Sequence, residues 1–169
     1  PLVCYRGRGF LNRPVRMGRS PVRWVAFGLG VGLVPMAPGT FGTLLAVPLV
    51  LVLAFLGPWL YAIVCVALVG MAIMVADRVE HQLGHEDPGV IVIDEVAGFV
   101  VAMAFLPAKL WVVVIAFAIF RVLDIFKPPP IDWIERRFKG GVAIVADDVV
   151  AGLLTNAVVH LLLLLVGSP

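Results

Sequence analysis

The sequence has 169 residues, of which 62% are hydrophobic and 14% charged, with a formal net charge of +2. Soluble domains contain about 45–50% apolar and about 25% charged residues, so this composition excludes an ordinary soluble domain. Two cysteines, Cys4 and Cys65, provide neither a disulfide framework nor a zinc site. Because one crossing takes about 20 residues, we predict an all-α integral membrane protein, a compact bundle of four to five transmembrane helices.

An arginine-rich arm, residues 1–23, comes before the first apolar stretch. It contains no acid and six of the thirteen basic residues, namely Arg6, Arg8, Arg13, Arg16, Arg19 and Arg23. Positive charge beside a membrane segment favours the cytoplasmic side and attracts anionic lipid headgroups. We therefore predict that the arm contacts anionic headgroups rather than nucleic acid, and that residues 24–169 form a single membrane-embedded domain.

Six apolar stretches follow along the chain, at residues 24–37, 43–56, 58–76, 90–106, 110–126 and 142–166. We predict that the first is a short interfacial or re-entrant segment and that the later ones cross the membrane. This arrangement places the arginine-rich arm and the basic segment 127–141 together on the cytoplasmic side, as the positive-inside rule prefers. One more crossing before Pro38 would put them on opposite sides.

The connections between these stretches differ in character. Residues 38–43, PGTFGT, contain a proline and two glycines, which break a helix and leave backbone amides free. Residues 57–58 and 107–109 are predicted tight turns, and residues 77–89 a polar loop. In residues 127–141, three prolines precede a segment with an apolar side, which predicts a short cytoplasmic amphipathic helix in the interface.

Under this topology five acidic residues gather at one membrane face: Asp94, Glu95, Asp124, Asp147 and Asp148. An acid at the centre of a membrane helix costs about 2.5–3.5 kcal/mol even on the lenient insertion scale, so these residues need partners. Arg121 and Lys127 share roughly one helix face with Asp124. Five acids less two bases leave three uncompensated charges, which require protons or a metal cation. Oxygen ligands without cysteine or histidine suit Mg²⁺ or Mn²⁺.

Residue chemistry alone leaves three interpretations of this cluster open. Metal-assisted phosphate chemistry fits best, because Mg²⁺ usually completes its shell with water and substrate phosphate. Gly39, Thr40 and Gly42 add backbone amides that can approach an anion at a helix N-terminus. The second interpretation is an ion- or proton-coupled transporter, and the third is a salt-bridge network that only fixes helix packing. His81 and His85 lack the glutamate of a zinc protease motif and are predicted to lie in a solvated or interfacial loop.

Four motifs in order and register carry a family resemblance: PMAPGTFGTL, VIVIDEVAG, FRVLDIFKPPPI and GGVAIVADDVVAG. Together they closely resemble bacterial phosphatidylglycerophosphatase A, over roughly residues 24–166. The resemblance implies an inner-membrane, Mg²⁺-dependent lipid phosphatase with its site facing the cytoplasm. Such an enzyme hydrolyses phosphatidylglycerophosphate, a membrane phospholipid, to phosphatidylglycerol and inorganic phosphate. Intact charges at the motif positions disfavour an inactive relative that serves only as a structural subunit.

The resemblance also implies site residues, carried over motif by motif: Pro38, Gly39, Thr40, Gly42, Asp94, Glu95, Arg121, Asp124, Lys127, Pro128, Gly140, Gly141, Asp147 and Asp148. We expect Asp94, Asp147 and Asp148 to be the main metal ligands, assisted by Glu95. Glu95 or Asp124 would position or deprotonate the attacking water. Arg121 and Lys127 would hold the terminal phosphate together with the backbone of Gly39, Thr40 and Gly42.

Overall fold

The computed structural model describes residues 3–5, 13–15, 20–84 and 89–167. These residues form a helical bundle preceded by two short strands. The strands are β1 (Val3–Tyr5) and β2 (Arg13–Val15). The helices are α1 (Pro21–Ala26), a 3₁₀ segment (Gly28–Leu33), α2 (Pro38–Leu53), α3 (Pro58–Leu83), α4 (Ile93–Ala102), α5 (Leu110–Phe126), α6 (Ile131–Arg137) and α7 (Gly140–Val166).

The two strands pair antiparallel, with Val3 opposite Val15. The sequence analysis did not predict them, because three-residue strands in a basic arm show no usable alternation of apolar and polar residues. Four arginines of the arm lie outside the described residues, namely Arg6, Arg8, Arg16 and Arg19. The contact between the arm and anionic headgroups therefore stays a prediction.

The segment before Pro38 folds as two short helical pieces, α1 and the 3₁₀ segment, of six residues each. Each is far shorter than the roughly 20 residues that a crossing needs, and the interfacial or re-entrant placement of this segment stays a prediction. The segment packs against the bundle, since Ala26 and Phe27 are fully buried. The carbonyl of Ala26 accepts a hydrogen bond of 2.8 Å from the Val92 amide, just before α4.

Helix α3 is longer than its apolar stretch. The prediction of a polar loop over residues 77–89 is therefore wrong for residues 77–83. Residues 77–83 continue the helix, because buried Val75, Ala76 and Val79 keep one face packed although polar residues appear on the other. Gly84 ends the helix in the left-handed conformation, with φ of 65°. Residues 85–88, including His85, lie outside the described residues.

Helix α4 lies at the centre of the bundle. Nine of its ten residues are buried, and it packs mainly against α7, α2 and α3. At 1.5 Å per residue it is about 15 Å long, half of a hydrocarbon core of about 30 Å. At the C-terminal end of α4, the side-chain amide of Asn156 in α7 donates to the carbonyls of Ala102 at 2.9 Å and Ala104 at 2.8 Å. The predicted crossing at residues 90–106 therefore contains only a short buried helix.

By length and composition, two of the helices in the described part of the chain can cross a membrane, α3 and α7. Only 28% of the most apolar stretch of each is buried, and outward side chains such as Trp59 (84% exposed) are large and apolar. Apolar surface of this kind indicates association with a membrane. The helical bundle is confirmed, whereas the predicted number of four to five crossings is not.

Helix α6 corresponds to the predicted short amphipathic helix. It covers Ile131–Arg137, with Ile131 fully buried and Trp133 exposed. Phe138 follows the end of the helix and is exposed. The location of α6 in a membrane interface stays a prediction.

Two glycines allow α4 and α7 to approach each other closely. A Cβ atom added at Gly152 would overlap the carbonyl oxygen of Gly98, and one added at Gly98 would lie 2.7 Å from the carbonyl oxygen of Asp148. Small residues at such a crossing let helix backbones touch, which is a common way to pack helices inside membranes. The approach fixes α7 against α4 at the level of Asp148.

We expect Gly152→Ala to destabilise the protein, because the new methyl group has no space between the two backbones. The cost should be ~1–3 kcal/mol, which is typical of overpacking. Gly70→Ala in α3 is the matched control, since no atom of the described residues lies within 4 Å of a Cβ atom there. The measurement is the thermal unfolding temperature of both variants in detergent. Equal unfolding temperatures for the two variants would contradict the close approach of α4 and α7.

Candidate active site

The first two acidic residues of the site, Asp94 and Glu95, lie in the first turn of α4. Negative side chains are favourable there, because the N-terminus of a helix carries a partial positive charge. The buried residues Val90–Ile93 and the hydrogen bond from Val92 to α1 fix where this helix begins. Asp94 is 7% exposed, so its carboxylate points into the bundle.

The second pair of acidic residues, Asp147 and Asp148, lies two turns into α7. Asp148 is 3% exposed and faces α4 at the close approach made possible by Gly98. Asp147 Oδ1 accepts a hydrogen bond of 3.0 Å from the Asp148 amide, while Asp147 Oδ2 faces Lys127. The two neighbouring acids therefore have different surroundings.

Two ion pairs occupy the edge of the site formed by α5. Arg121 Nη1 donates to Asp124 Oδ2 at 2.5 Å, and Lys127 Nζ donates to Asp147 Oδ2 at 2.6 Å. Lys127 ends α5 in the left-handed conformation, with φ of 43°. These pairs remove both bases and two of the five acids from the charge balance, which leaves Asp94, Glu95 and Asp148.

The three remaining acids form one cluster, which we call the carboxylate triad. One oxygen from each of Asp94, Glu95 and Asp148 lies within 4.8 Å of the others. Within the described residues, Asp94 Oδ1, Glu95 Oε2 and Asp148 Oδ1 are buried and have no hydrogen-bond partner. Burying such charges unpaired is costly. Three oxygen donors with free lone pairs fit a hard divalent cation such as Mg²⁺ or Mn²⁺.

The N-terminus of α2 also borders the site. A Cβ atom at Gly39 would overlap Glu95 Oε1 and lie 3.1 Å from both terminal nitrogens of Arg121. Thr40 is half-buried beside it in the same turn. Gly42 lies elsewhere: its α-carbon faces Val92, where a Cβ atom would approach within 2.8 Å. The fold thus brings Gly39 to the carboxylates and uses Gly42 for packing.

The predicted charged residues all meet in this region, since Asp124 also lies beside Asp148. Their metal-ligand roles stay predictions, although their surroundings in the structure differ. Asp147, expected as a main metal ligand, has both oxygens engaged by Lys127 and by the Asp148 amide. Glu95, expected as an assisting ligand, belongs to the triad.

Two further polar contacts were not predicted, one in this region and one at the start of α7. Thr43 is fully buried in α2, and its hydroxyl lies 3.5 Å from Arg121 Nη1. The four-residue spacing from Gly39 could have indicated it, because both face the same side of a helix. Asp77 Oδ1 accepts a hydrogen bond of 3.2 Å from the Gly141 amide at the start of α7. The sequence analysis placed Asp77 in a loop and therefore did not predict its hydrogen bond with α7.

A second group of possible metal ligands consists of Asp77, Glu80 and His81 on α3, whose ligand atoms also lie within 4.8 Å of one another. Their setting differs from that of the triad. The side chains of His81 and Asp77 are 74% and 50% exposed. Asp77 also accepts the hydrogen bond from the Gly141 amide in the first turn of α7, so it joins the two helices.

We expect Gly39→Ala to reduce catalysis strongly while leaving the fold intact, because the methyl group must push Glu95 and Arg121 apart. Misplacing reacting groups by about 1 Å costs about 100-fold in rate. The measurement is the rate of substrate turnover, with Gly70→Ala as the control. Full activity of Gly39→Ala would show that Gly39 does not border the reacting groups.

Comparison with known proteins gives consistent results. The family model described as phosphatidylglycerophosphatase A matches residues 24–163. Phosphatidylglycerophosphatase A of Escherichia coli (strain K12) is 38% identical over 143 residues, covering 83% of each chain. The Haemophilus influenzae protein of the same name is 34% identical and covers 83% of this chain and 87% of its own.

A Bacteroides thetaiotaomicron protein, provisionally named a phosphatidylinositol-3-phosphatase, is 39% identical over 136 residues. The match covers 76% of this chain and 84% of that relative. No solved structure gives a significant match.

Proposed function

This chain belongs to the phosphatidylglycerophosphatase A family, and we propose that it hydrolyses phosphatidylglycerophosphate to phosphatidylglycerol and inorganic phosphate in the synthesis of membrane phospholipids. The observation that carries the proposal is the carboxylate triad, with three buried oxygens that have no partner among the described residues. Two bases and a helix N-terminus border the triad, as recognition of a phosphate monoester requires.

Mg²⁺ is the cofactor that this donor set fits best. Asp94, Glu95 and Asp148 would hold it, because their oxygens converge and the other two acids are already paired. When bound, the ion would polarise the phosphate and stabilise the charge that develops on its oxygens. The acids could not supply this themselves, since carboxylates repel a phosphate.

Arg121 is the principal phosphate-binding residue in this proposal. Its Nη1 is engaged by Asp124, whereas its Nε is buried without a hydrogen-bond partner among the described residues. A guanidinium has five N–H donors in a planar fork that suits phosphate oxygens. Asp124 therefore holds one end of the fork and leaves other donors for the substrate.

Lys127 and the N-terminus of α2 at Gly39 complete the phosphate site, whereas the Thr40 amide already donates to the Ala37 carbonyl at 3.0 Å. Lys127 supplies a second positive charge from the end of α5, with Asp147 fixing its position. The α2 N-terminus carries a partial positive charge that favours an anion. Because the carboxylate of Asp124 is engaged by Arg121, Glu95 is the better acceptor for the proton of the attacking water. Its Oε2 lies in the site without a partner in the described part of the chain.

The site would lie at the cytoplasmic edge of the bacterial inner membrane, in a multi-pass protein. The basic residues Lys127, Arg137 and Lys139 follow the site end of α5, and the positive-inside rule assigns such residues to the cytoplasm. A diacyl lipid could then keep its chains in the bilayer while its headgroup reaches the triad. The transporter interpretation is not favoured, because the relatives are phosphatases.

The test is phosphate release by purified protein in detergent micelles with Mg²⁺. Phosphatidylglycerophosphate, phosphatidic acid and phosphatidylinositol 3-phosphate are compared, and the last is included because one relative carries that name. We expect the highest kcat/KM with phosphatidylglycerophosphate. Preference for phosphatidylinositol 3-phosphate would replace the proposed substrate, and release from none of the lipids by folded protein would overturn the proposal.

A further inference from the structure

A buried hydroxyl connects α2 with the phosphate-binding arginine. Thr43 is fully buried, and its hydroxyl donates to the Gly39 carbonyl at 2.9 Å. The same oxygen lies 3.5 Å from Arg121 Nη1, which donates to it. Thr43 therefore joins the turn that contains Gly39 to the arginine that faces it.

The donor and acceptor roles of this hydroxyl are defined. A threonine has one O–H and two acceptor lone pairs, and its proton is committed to Gly39, so the lone pairs are available to Arg121. A bond of 3.5 Å is at the long limit of the hydrogen-bond range, but Asp124 holds the same nitrogen at 2.5 Å. The two oxygens fix one corner of the guanidinium, while Nε remains buried and without a partner among the described residues.

We propose that Thr43 is a positioning residue for phosphate binding, acting through Arg121. This inference rests on the proposed function. Its hydroxyl orients the guanidinium so that the Nε edge faces the substrate phosphate. The residue does not touch the reacting atoms, so its loss should weaken phosphate affinity more than it slows turnover.

Thr155 of α7 offers a matched control. It is also fully buried, and its hydroxyl donates to the carbonyl four residues earlier, that of Ala151, at 2.8 Å. Such bonds to the preceding turn satisfy a buried hydroxyl without any role in a site. Thr43 and Thr155 thus share burial and the local bond, and differ in the contact with Arg121.

The experiment compares Thr43→Val with Thr155→Val in the full-length protein in micelles with Mg²⁺. The measured quantities are KM for phosphatidylglycerophosphate, kcat, and the inhibition constant of inorganic phosphate. For Thr43→Val we expect the inhibition constant and KM to rise about tenfold with a smaller change in kcat, the effect of one hydrogen bond to a charged group. Thr43→Ser should recover most of the phosphate affinity. Thr155→Val should change neither KM nor the inhibition constant of inorganic phosphate.

A double variant tests that Thr43 acts through the arginine. In Arg121→Lys, adding Thr43→Val should cause little further loss of phosphate affinity, since interacting residues are not additive. If Thr43→Val does not fold, Thr43→Ala takes its place in both comparisons, because alanine removes the hydroxyl without adding a methyl group. Equal phosphate inhibition of the Thr43 and Thr155 variants would overturn the inference while leaving the phosphatase activity established. A wild-type protein without phosphatase activity would instead overturn the proposed function.

Discussion

Asp148→Asn is expected to lower phosphate release from the lipid by about a thousandfold, the loss that follows when several kcal/mol of charge stabilisation disappear. Asp148 contributes one of the three buried oxygens of the carboxylate triad. An amide of the same shape keeps the packing against Gly98 but removes the negative charge that would hold the cation. The measurement is kcat/KM with saturating Mg²⁺, alongside the unfolding temperature.

In the absence of metal, the stability of this variant should not fall below that of wild type. Neutralising one of three close carboxylates removes repulsion, so in EDTA the variant should unfold at the same temperature as wild type or at a higher one. Asp132→Asn is the control, since Asp132 lies in the first turn of α6, outside the triad. An Asp148→Asn protein that is folded and retains wild-type kcat/KM would show that the triad is not the reacting centre.

Arg121→Lys is expected to lower kcat/KM by about 100-fold, although the positive charge is kept. A lysine cannot reproduce the fork that contacts Asp124 and Thr43 on one side and leaves Nε for the substrate. The phosphate would lose oriented donors, and Asp124 would lose its short ion pair. The measurement is kcat/KM together with inhibition by inorganic phosphate.

Arg78→Lys is the matched control for this substitution, because Arg78 is exposed on α3. It should leave both constants unchanged, since exposed charges contribute little. If Arg121→Lys binds inorganic phosphate as tightly as wild type, the arginine only balances the charge of Asp124, and another residue must recognise the substrate.

The charged residues of the site could be predicted from the sequence because their chemistry leaves few alternatives. Asp94, Asp124 and Asp148 lie in apolar surroundings where an isolated charge is unstable, so they must find each other, a base or a cation. Counting charges predicted three acids in excess. Only the structure identifies them as Asp94, Glu95 and Asp148, because the choice depends on which side chains the two bases reach.

The lengths of the helices were less predictable, because hydropathy does not record packing. Helix α3 continues past its apolar stretch since Val79 still packs inside, although polar residues surround it in the sequence. Helix α4 is much shorter than its apolar stretch, and its burial follows from contact with α7 at Gly98 and Gly152. A glycine in an apolar stretch does not reveal in advance which helix will approach it. Thr43 was missed for a similar reason, since its partner lies 78 positions away.

Binding of Mn²⁺, used as a paramagnetic substitute for Mg²⁺, tests the central claim most directly. Electron paramagnetic resonance of the full-length protein in micelles measures bound and free ion without any substrate. The account predicts that wild type and Asp132→Asn bind Mn²⁺, that Mg²⁺ displaces it, and that Asp94→Asn binds it much more weakly. Equal binding by folded Asp94→Asn and wild type, or no binding by either, would contradict a cation held by Asp94, Glu95 and Asp148.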